Sequence, residues 1–250
     1  MSANNKKYKL VVAYDGTHYA GWQTQQHAKS VANVIEKTFA RVFNKPIKLI
    51  AASRTDSGVH AHGQVVCLST DLVLMPEKLQ WVLQRSLPRT IVIRSCQEVS
   101  HSFHPRFDVA YKTYWYHFFL KQPLPWFAPY GYHYTDYFDE ALFKQALQIF
   151  VGTHDFRSFC TGNDQKNTVR TIMKITFDSN PQLNAYRVVI TGDGFLRYMI
   201  RRIIGACFYV TQKKLDPCVL REILAQKNPH QQLYTAPAQG LLLYEIVYRS

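Results

Sequence analysis

The sequence predicts an α+β fold of two similar halves, and three observations carry the prediction. Apolar runs of strand and helix character follow the order β-α-β-β-α-β and then repeat that order. A turn-like segment, His104-Pro-Arg-Phe-Asp108, separates the repeats. The 250 residues, 47% of them hydrophobic, suffice to build the core of one large domain or two small ones.

The first half reads strand (Tyr8 to Tyr14), helix (Ser30 to Phe43), strand (Ile47 to Ala52), a polar loop around Asp56, strand (Gln64 to Thr70), helix (Pro76 to Leu87) and strand (Ile91 to Val99). The second reads strand (Tyr111 to Leu120), helix (Asp139 to Val151), strands (Arg170 to Phe177 and Ala185 to Thr191), helix (Phe195 to Thr211), a further helix (Pro217 to Ala225) and a last strand (Leu241 to Tyr248). Two ferredoxin-like β-α-β-β-α-β halves, 1–104 and 105–250, would form one extended, mainly antiparallel sheet with helices on one side and a basic central cleft.

Thirty Lys and Arg against seventeen Asp and Glu give a net charge of +13. A polyanion is the expected partner, nucleic acid before membrane. The basic residues are spread along the chain, so the charge belongs to a folded surface instead of a tail. Cys67, Cys96, Cys160, Cys207 and Cys218 are odd in number and widely spaced, with no Cys-x-x-Cys pair, which fits a reduced setting. The polar, basic start from Met1 to Lys9 leads only to the short run Leu10 to Tyr14, too little for a signal peptide, and no apolar run reaches membrane-spanning length. A soluble, cytoplasmic protein is expected.

The segment Ala52-Ser-Arg-Thr-Asp-Ser-Gly-Val-His-Ala61 is the first candidate for chemistry. It sets Asp56 on a loop between strands, with Arg54 two residues away to keep the carboxylate ionised. An ionised carboxylate suits a nucleophile or base. On spacing alone the same residues also make an ordinary Asp-Ser-Gly turn with a solvated ion pair. The strand Tyr111-Lys-Thr-Tyr-Trp-Tyr-His-Phe-Phe119 places Lys112, Tyr114, Tyr116 and Phe118 on one face, which would either stack a nucleobase or pack against helices. In the helix from Phe195, Arg197 and Arg201 stand four apart on one flank and Arg202 on the other, fitting a carboxylate, a phosphate or only solvent. His60-Ala-His62 and His101-x-x-His104 lack further ligands at metal-binding spacing, so packing or phosphate contact is their expected role and no metal is expected.

Six blocks, taken together, resemble the tRNA pseudouridine synthase A family across nearly the whole length. They are Ala13-Tyr-Asp-Gly16 with Gly21-Trp-Gln23; Ser53-Arg-Thr-Asp-Ser-Gly-Val-His-Ala61; Tyr111-Lys-Thr-Tyr-Trp-Tyr116; Gly152-Thr-His-Asp-Phe156; Phe195-Leu-Arg-Tyr-Met-Ile-Arg201; and Thr235-Ala-Pro-Ala-Gln-Gly-Leu241. The resemblance implies isomerisation of uridine to pseudouridine in the anticodon stem-loop of tRNA, positions 38 to 40, by a homodimer using no metal or cofactor. It maps the catalytic aspartate to Asp56, its accompanying arginine to Arg54, the aromatic that stacks on the flipped uracil to Tyr114, and the arginine that pairs with the aspartate to Arg201. Ser53 stands where many members have Gly, and Tyr111 and Trp115 lie in a strand often richer in Arg. Asp56 is then expected in the cleft, within pairing distance of Arg201 and near the Tyr114 ring.

Charge alone nominates Lys6, Lys7, Arg85, Arg89 and Arg94 for phosphate contacts. Two other functions fit parts of the pattern: a non-catalytic RNA-binding module of ferredoxin-like repeats, and a metal-dependent nuclease built on the histidine pairs.

Overall fold

The computed structural model describes residues 5–25, 27–162 and 167–249. They divide into two compact units: unit 1 runs to Ala110 and resumes at Leu242, and unit 2 is Tyr111–Leu241. The sequence suggests 1–104 and 105–250 instead; the difference lies mainly in the last strand, most of which belongs to unit 1, where it pairs with the strand His60–Thr70.

Unit 1 is built from β1 (Lys6–Tyr14), α1 (Val31–Phe43), β2 (Ile50–Ala51), β3 (His60–Thr70), α2 (Pro76–Ser86) and β4 (Ile91–Glu98). Strand β1 lies between β4 and β3, antiparallel to both. Its alternation buries Tyr8, Leu10, Val12 and Tyr14, the period-two pattern of a strand with one covered face. Helix α1 starts where Ser30 accepts a hydrogen bond from the Asn33 N–H and stops at Asn44 in the left-handed region. It buries Val31, Ile35 and Phe39, one helical stripe. Proline opens α2 at its first turn, and Leu79 and Leu83 anchor it.

The predicted strand Ile47 to Ala52 shortens to Ile50–Ala51, paired with Cys67 and Val66 of β3. Pro46 has no N–H to give, and the Leu49 N–H goes to Glu36 Oε1 at 2.9 Å instead of to a neighbouring strand.

Unit 2 carries β5 (Val109–Phe119, its first two residues in unit 1), β6 (Tyr132–His133), α3 (Glu140–Gln148), β7 (Gly152–Asp155), β8 (Val169–Asn180), β9 (Ala185–Gly192), α4 (Met199–Thr211) and α5 (Pro217–Gln226). Strands β5, β9, β8 and β7 follow one another, each antiparallel to the next, and β6 adds a short parallel pair to β5. The core is aromatic. Phe118 meets Phe208 edge-on at 5.1 Å and Phe143 at 5.6 Å, and Tyr134 stacks on Phe208 at 4.2 Å, geometries that ring quadrupoles favour.

The helix predicted from Phe195 begins four residues later, at Met199. Tyr198 takes a left-handed backbone (φ 62°) that ends the preceding turn and cannot continue a right-handed helix. The short strands β6 and β7 fall outside the predicted elements, being too brief to show periodicity.

The last strand, β10 (Leu241–Tyr248), pairs in parallel with the start of β3, Leu242 opposite His60 and Leu243 opposite Ala61. This explains why β3 begins at His60 and not at Gln64: Gly63 admits the β10 backbone, and a Cβ there would lie 2.5 Å from the Tyr244 carbonyl oxygen. The chain is therefore α+β with mainly antiparallel strands. Among the described residues no helix is long and apolar enough to cross a membrane.

Candidate catalytic site

In unit 1 the Asp56 loop is clamped at both ends and pressed from one side. At its start the Ala52 N–H bonds the Val65 carbonyl at 2.9 Å. The wholly buried Gln64 side chain grips the Ser53 backbone twice, accepting from its N–H at 3.3 Å and donating to its carbonyl at 2.7 Å. Thr55 is buried, its hydroxyl 2.7 Å from the Tyr14 hydroxyl and its carbonyl accepting from the Trp22 N–H at 3.1 Å. Gly58 (φ 77°) makes the turn that lets the Val59 N–H reach the Asp56 carbonyl at 3.2 Å. Asp56 is left half-buried, and Arg54 is exposed.

A segment not singled out by charge or periodicity does the pressing. A Cβ on Gly21 (φ 83°) would lie 2.5 Å from the Thr55 oxygen and 3.0 Å from the Asp56 carbonyl carbon; one on Gly16 would lie 2.1 Å from the Val59 oxygen. Glycine is required where backbone meets backbone this closely. The Tyr19 carbonyl receives the Ser57 hydroxyl and the Gly58 N–H, both at 3.2 Å. Tyr14, Gly16, Tyr19, Gly21 and Trp22 are thus the supports of the loop. The glycines of the Asp15-Gly16 and Gly21-Trp22 pairs were the signal for them.

Three of the four nominated histidines serve packing, and His101 is exposed. His60 is buried, its Nδ1 3.1 Å from the Gly16 nitrogen and 3.3 Å from Asp15 Oδ1. His62 stacks on Tyr244 at 4.9 Å, and His104 stacks on Phe107 at 4.2 Å. Among the described residues no three His, Cys, Asp or Glu side chains are grouped as metal ligands.

In unit 2, Lys112, Tyr114, Tyr116 and Phe118 do share a face of β5, and all four are buried. Tyr116 donates to the Pro237 carbonyl at 3.0 Å, and Phe118 lies in the aromatic core. Burial pushes the Tyr116 phenol well above its ordinary value, so it stays a neutral donor. These two belong to the packing role. Tyr114, 5% exposed, is buried as well and meets Phe195 edge-on at 5.2 Å.

Arg201 lies in the first turn of α4, which contains no acidic residue. Its Nε donates to the Ala236 carbonyl at 2.7 Å and its own carbonyl accepts from the Ala236 N–H at 3.0 Å. Arg197 lies before α4, so it does not share a helical flank with Arg201. The two guanidinium groups instead converge on the Tyr198 ring, each 5.1 Å from its centre. Arg202 ties α4 to the chain at Cys160, where its Nη1 donates to the Cys160 carbonyl at 2.9 Å, and burial lowers its pKa.

The nominated phosphate contacts separate as well. Lys6 pairs with Glu98 at 2.7 Å, and Lys7 donates to the Phe103 carbonyl at 2.6 Å. Arg94 binds the His62 carbonyl at 3.1 Å. Arg85 and Arg89 are exposed.

A protein-family model described as tRNA pseudouridine synthase matches residues 10–108 and 146–249. Among curated relatives, the tRNA pseudouridine synthase A of Brevibacillus brevis is 38% identical over 97% of this chain and 100% of its own. That of Chlamydia felis is 37% identical over 97% and 92%, and that of Thermodesulfovibrio yellowstonii 34% identical over 96% and 98%.

Proposed function

The chain belongs to the tRNA pseudouridine synthase family and is an isomerase of uridine in tRNA, and from that premise we propose that it acts on positions 38 to 40 of the anticodon stem-loop with Asp56 as the essential carboxylate. The reaction breaks the N-glycosidic bond, turns the base and rejoins it through carbon, so substrate and product are isomers and nothing is consumed. A uridine in a stem or loop must first leave its stack, at a cost of a few kcal/mol that contacts in the pocket offset. In this reading Tyr114 stacks on the freed uracil, Arg201 holds Asp56 charged and oriented, and Arg54 adds positive charge at the loop's exposed rim, where solvent screens it. Asp56 then acts on the anomeric carbon or on the base.

The observation that carries the proposal is the bracing of the Asp56 loop. An ordinary surface turn needs neither a buried glutamine gripping its start nor two glycines admitting its backbone, whereas a reacting carboxylate must be held to a fraction of an ångström. The sheet order β4-β1-β3-β2 in unit 1 supports reading the units as ferredoxin-like repeats. The net charge of +13 supports a tRNA substrate held in a basic cleft. A homodimer in the cytoplasm completes the reading.

Replacing Asp56 with Ala or Asn is expected to abolish pseudouridine formation on an unmodified tRNA transcript while tRNA binding survives. Substantial residual turnover in either variant would refute the assignment. If the wild-type protein binds tRNA without modifying any uridine, the RNA-binding module is the correct reading.

A further inference from the structure

Trp81 stands apart from the rest of α2. It is 60% exposed, while Leu79 and Leu83 of the same helix are fully buried. An indole left in water forgoes the area burial that makes tryptophan valuable in a core, and exposed tryptophans are enriched where a partner covers them. The guanidinium of Arg85, one turn on, lies 4.9 Å from its ring centre. Together they offer an aromatic plane and a cation side by side.

Further cations gather at the C-terminal end of this helix. Arg41 reaches across from α1, its Nη2 donating to the Ser86 carbonyl at 3.1 Å. Arg89 is exposed just beyond the helix end. Three acids near this helix do not cancel the charge: Glu77 sits in the opposite, first turn of α2, Asp71 is paired with Lys45, and Asp15, whose N–H bonds the Thr90 carbonyl, has its carboxylate engaged by the Thr17 N–H and hydroxyl and by His60. Exposed Val73 and Met75 also lie at that opposite end.

The strip leads to the catalytic loop within unit 1. Thr90, next to Arg89, accepts from the Asp15 N–H at 3.0 Å and shares a 2.7 Å hydrogen bond with the Tyr19 hydroxyl. The Tyr19 carbonyl holds Ser57 and Gly58, the two residues after Asp56. Lys29 lies 5.2 Å over the Tyr19 ring and adds a cation at that end.

We propose that this strip is a second RNA contact, in which tRNA phosphates outside the anticodon stem-loop run along Arg89, Arg41 and Arg85 and an unstacked base lies on Trp81. It rests on the tRNA reading above and extends the footprint beyond the modified arm. The occupant is RNA because one guanidinium lies against the indole and two more arginines stand at the same end of the helix, which gives a base a stacking plane and phosphates their counter-charge.

The test compares a full-length unmodified tRNA transcript with the isolated anticodon stem-loop, measuring affinity over a salt series for wild type, W81A, W81F and R85A. We expect W81A to weaken full-length tRNA binding about 10-fold, W81F to restore most of it, and stem-loop affinity to change by less than about twofold. R85A should lower the salt slope for full-length tRNA by about one. Equal losses on both RNAs, or no loss on the full-length tRNA, overturn the proposal. So does a change in oligomer mass in W81A with RNA affinity intact. A wild-type protein that binds tRNA but forms no pseudouridine removes the catalytic reading and leaves the outcome for the strip standing.

Discussion

Backbone meeting backbone fixes the Asp56 loop of unit 1, with Gly16 and Gly21 against the carbonyls of Val59 and Thr55. In unit 2 the strap 234–237 is itself seated on α4 by backbone contacts, the Ala236 N–H on the Arg201 carbonyl and Gly205 against the Tyr234 carbonyl, but the groups themselves are aimed by side-chain contacts: Arg201 Nε bonds Ala236, Tyr116 bonds Pro237, and Phe195 meets the Tyr114 ring. A backbone mount has almost no slack, because neither partner has a rotamer to change. A side-chain mount tolerates small shifts, since an arginine stem re-aims at modest cost. The carboxylate proposed to meet a reacting atom sits in a loop fixed by its backbone, and the groups proposed to orient and stack are aimed by side chains.

The sharpest way to break this comparison is a pair of glycine substitutions. Gly21→Ala places a Cβ 2.5 Å from the Thr55 oxygen at a positive φ, and Gly205→Ala places one 2.0 Å from the Tyr234 oxygen, at the strap that Arg201 holds. Both should cost roughly 2–3 kcal/mol of stability. Their effects on turnover should part: about 100-fold loss of kcat for Gly21→Ala, since a displacement near 1 Å suffices, against about 10-fold for Gly205→Ala. Stability from urea unfolding and kcat from pseudouridine release, measured on the same preparations, decide it. Equal kcat losses would mean that the two mounts are equally stiff.

Tyr114 sharpens the soft side of the contrast. If its ring is what matters, Tyr114→Phe should keep KM for tRNA near the wild-type value, while Tyr114→Ala raises it about 10-fold through lost stacking. Losses of the same size in both variants would shift the role to the phenol hydroxyl.

Much of this was legible in the sequence, because its signals are local. The alternation in Tyr8 to Tyr14, the serine before α1 and the proline opening α2 each act within a few residues, and those elements fall where they were predicted. The Asp56 loop was likewise visible as a polar interruption between apolar runs. Illegible were the features set by distant partners. The early start of β3 depends on β10, nearly two hundred residues later in the chain. The late start of α4 depends on one left-handed tyrosine, which no periodicity announces. The bracing of the loop by Tyr19 and Trp22 needs contacts across more than thirty residues, and only the glycines hinted at a close approach.

The smallest expected effect compares the cores of the units through their thiols. Burial raises Cys67 of unit 1 from its ordinary 9.0 to about 11 and Cys96 to about 12, and pushes the wholly buried Cys207 of unit 2 up as well. The folded protein therefore keeps these protons where the unfolded chain loses them. The stabilisation is complete below pH 9 and declines as pH rises through the folded values, by about 1 kcal/mol per thiol at pH 9.5. Urea midpoints at pH 8 and pH 9.5 should differ accordingly, and Cys67→Ala or Cys207→Ala should each remove one thiol's share of the difference. Cys218, exposed on α5, should alone react with an alkylating agent in the folded protein at neutral pH. Rapid labelling of Cys67 but not Cys207 would show that the core of unit 1 opens more readily than the aromatic core of unit 2. In that case the stiffness of the Asp56 loop would be a property of its glycine contacts and not of the unit that carries them.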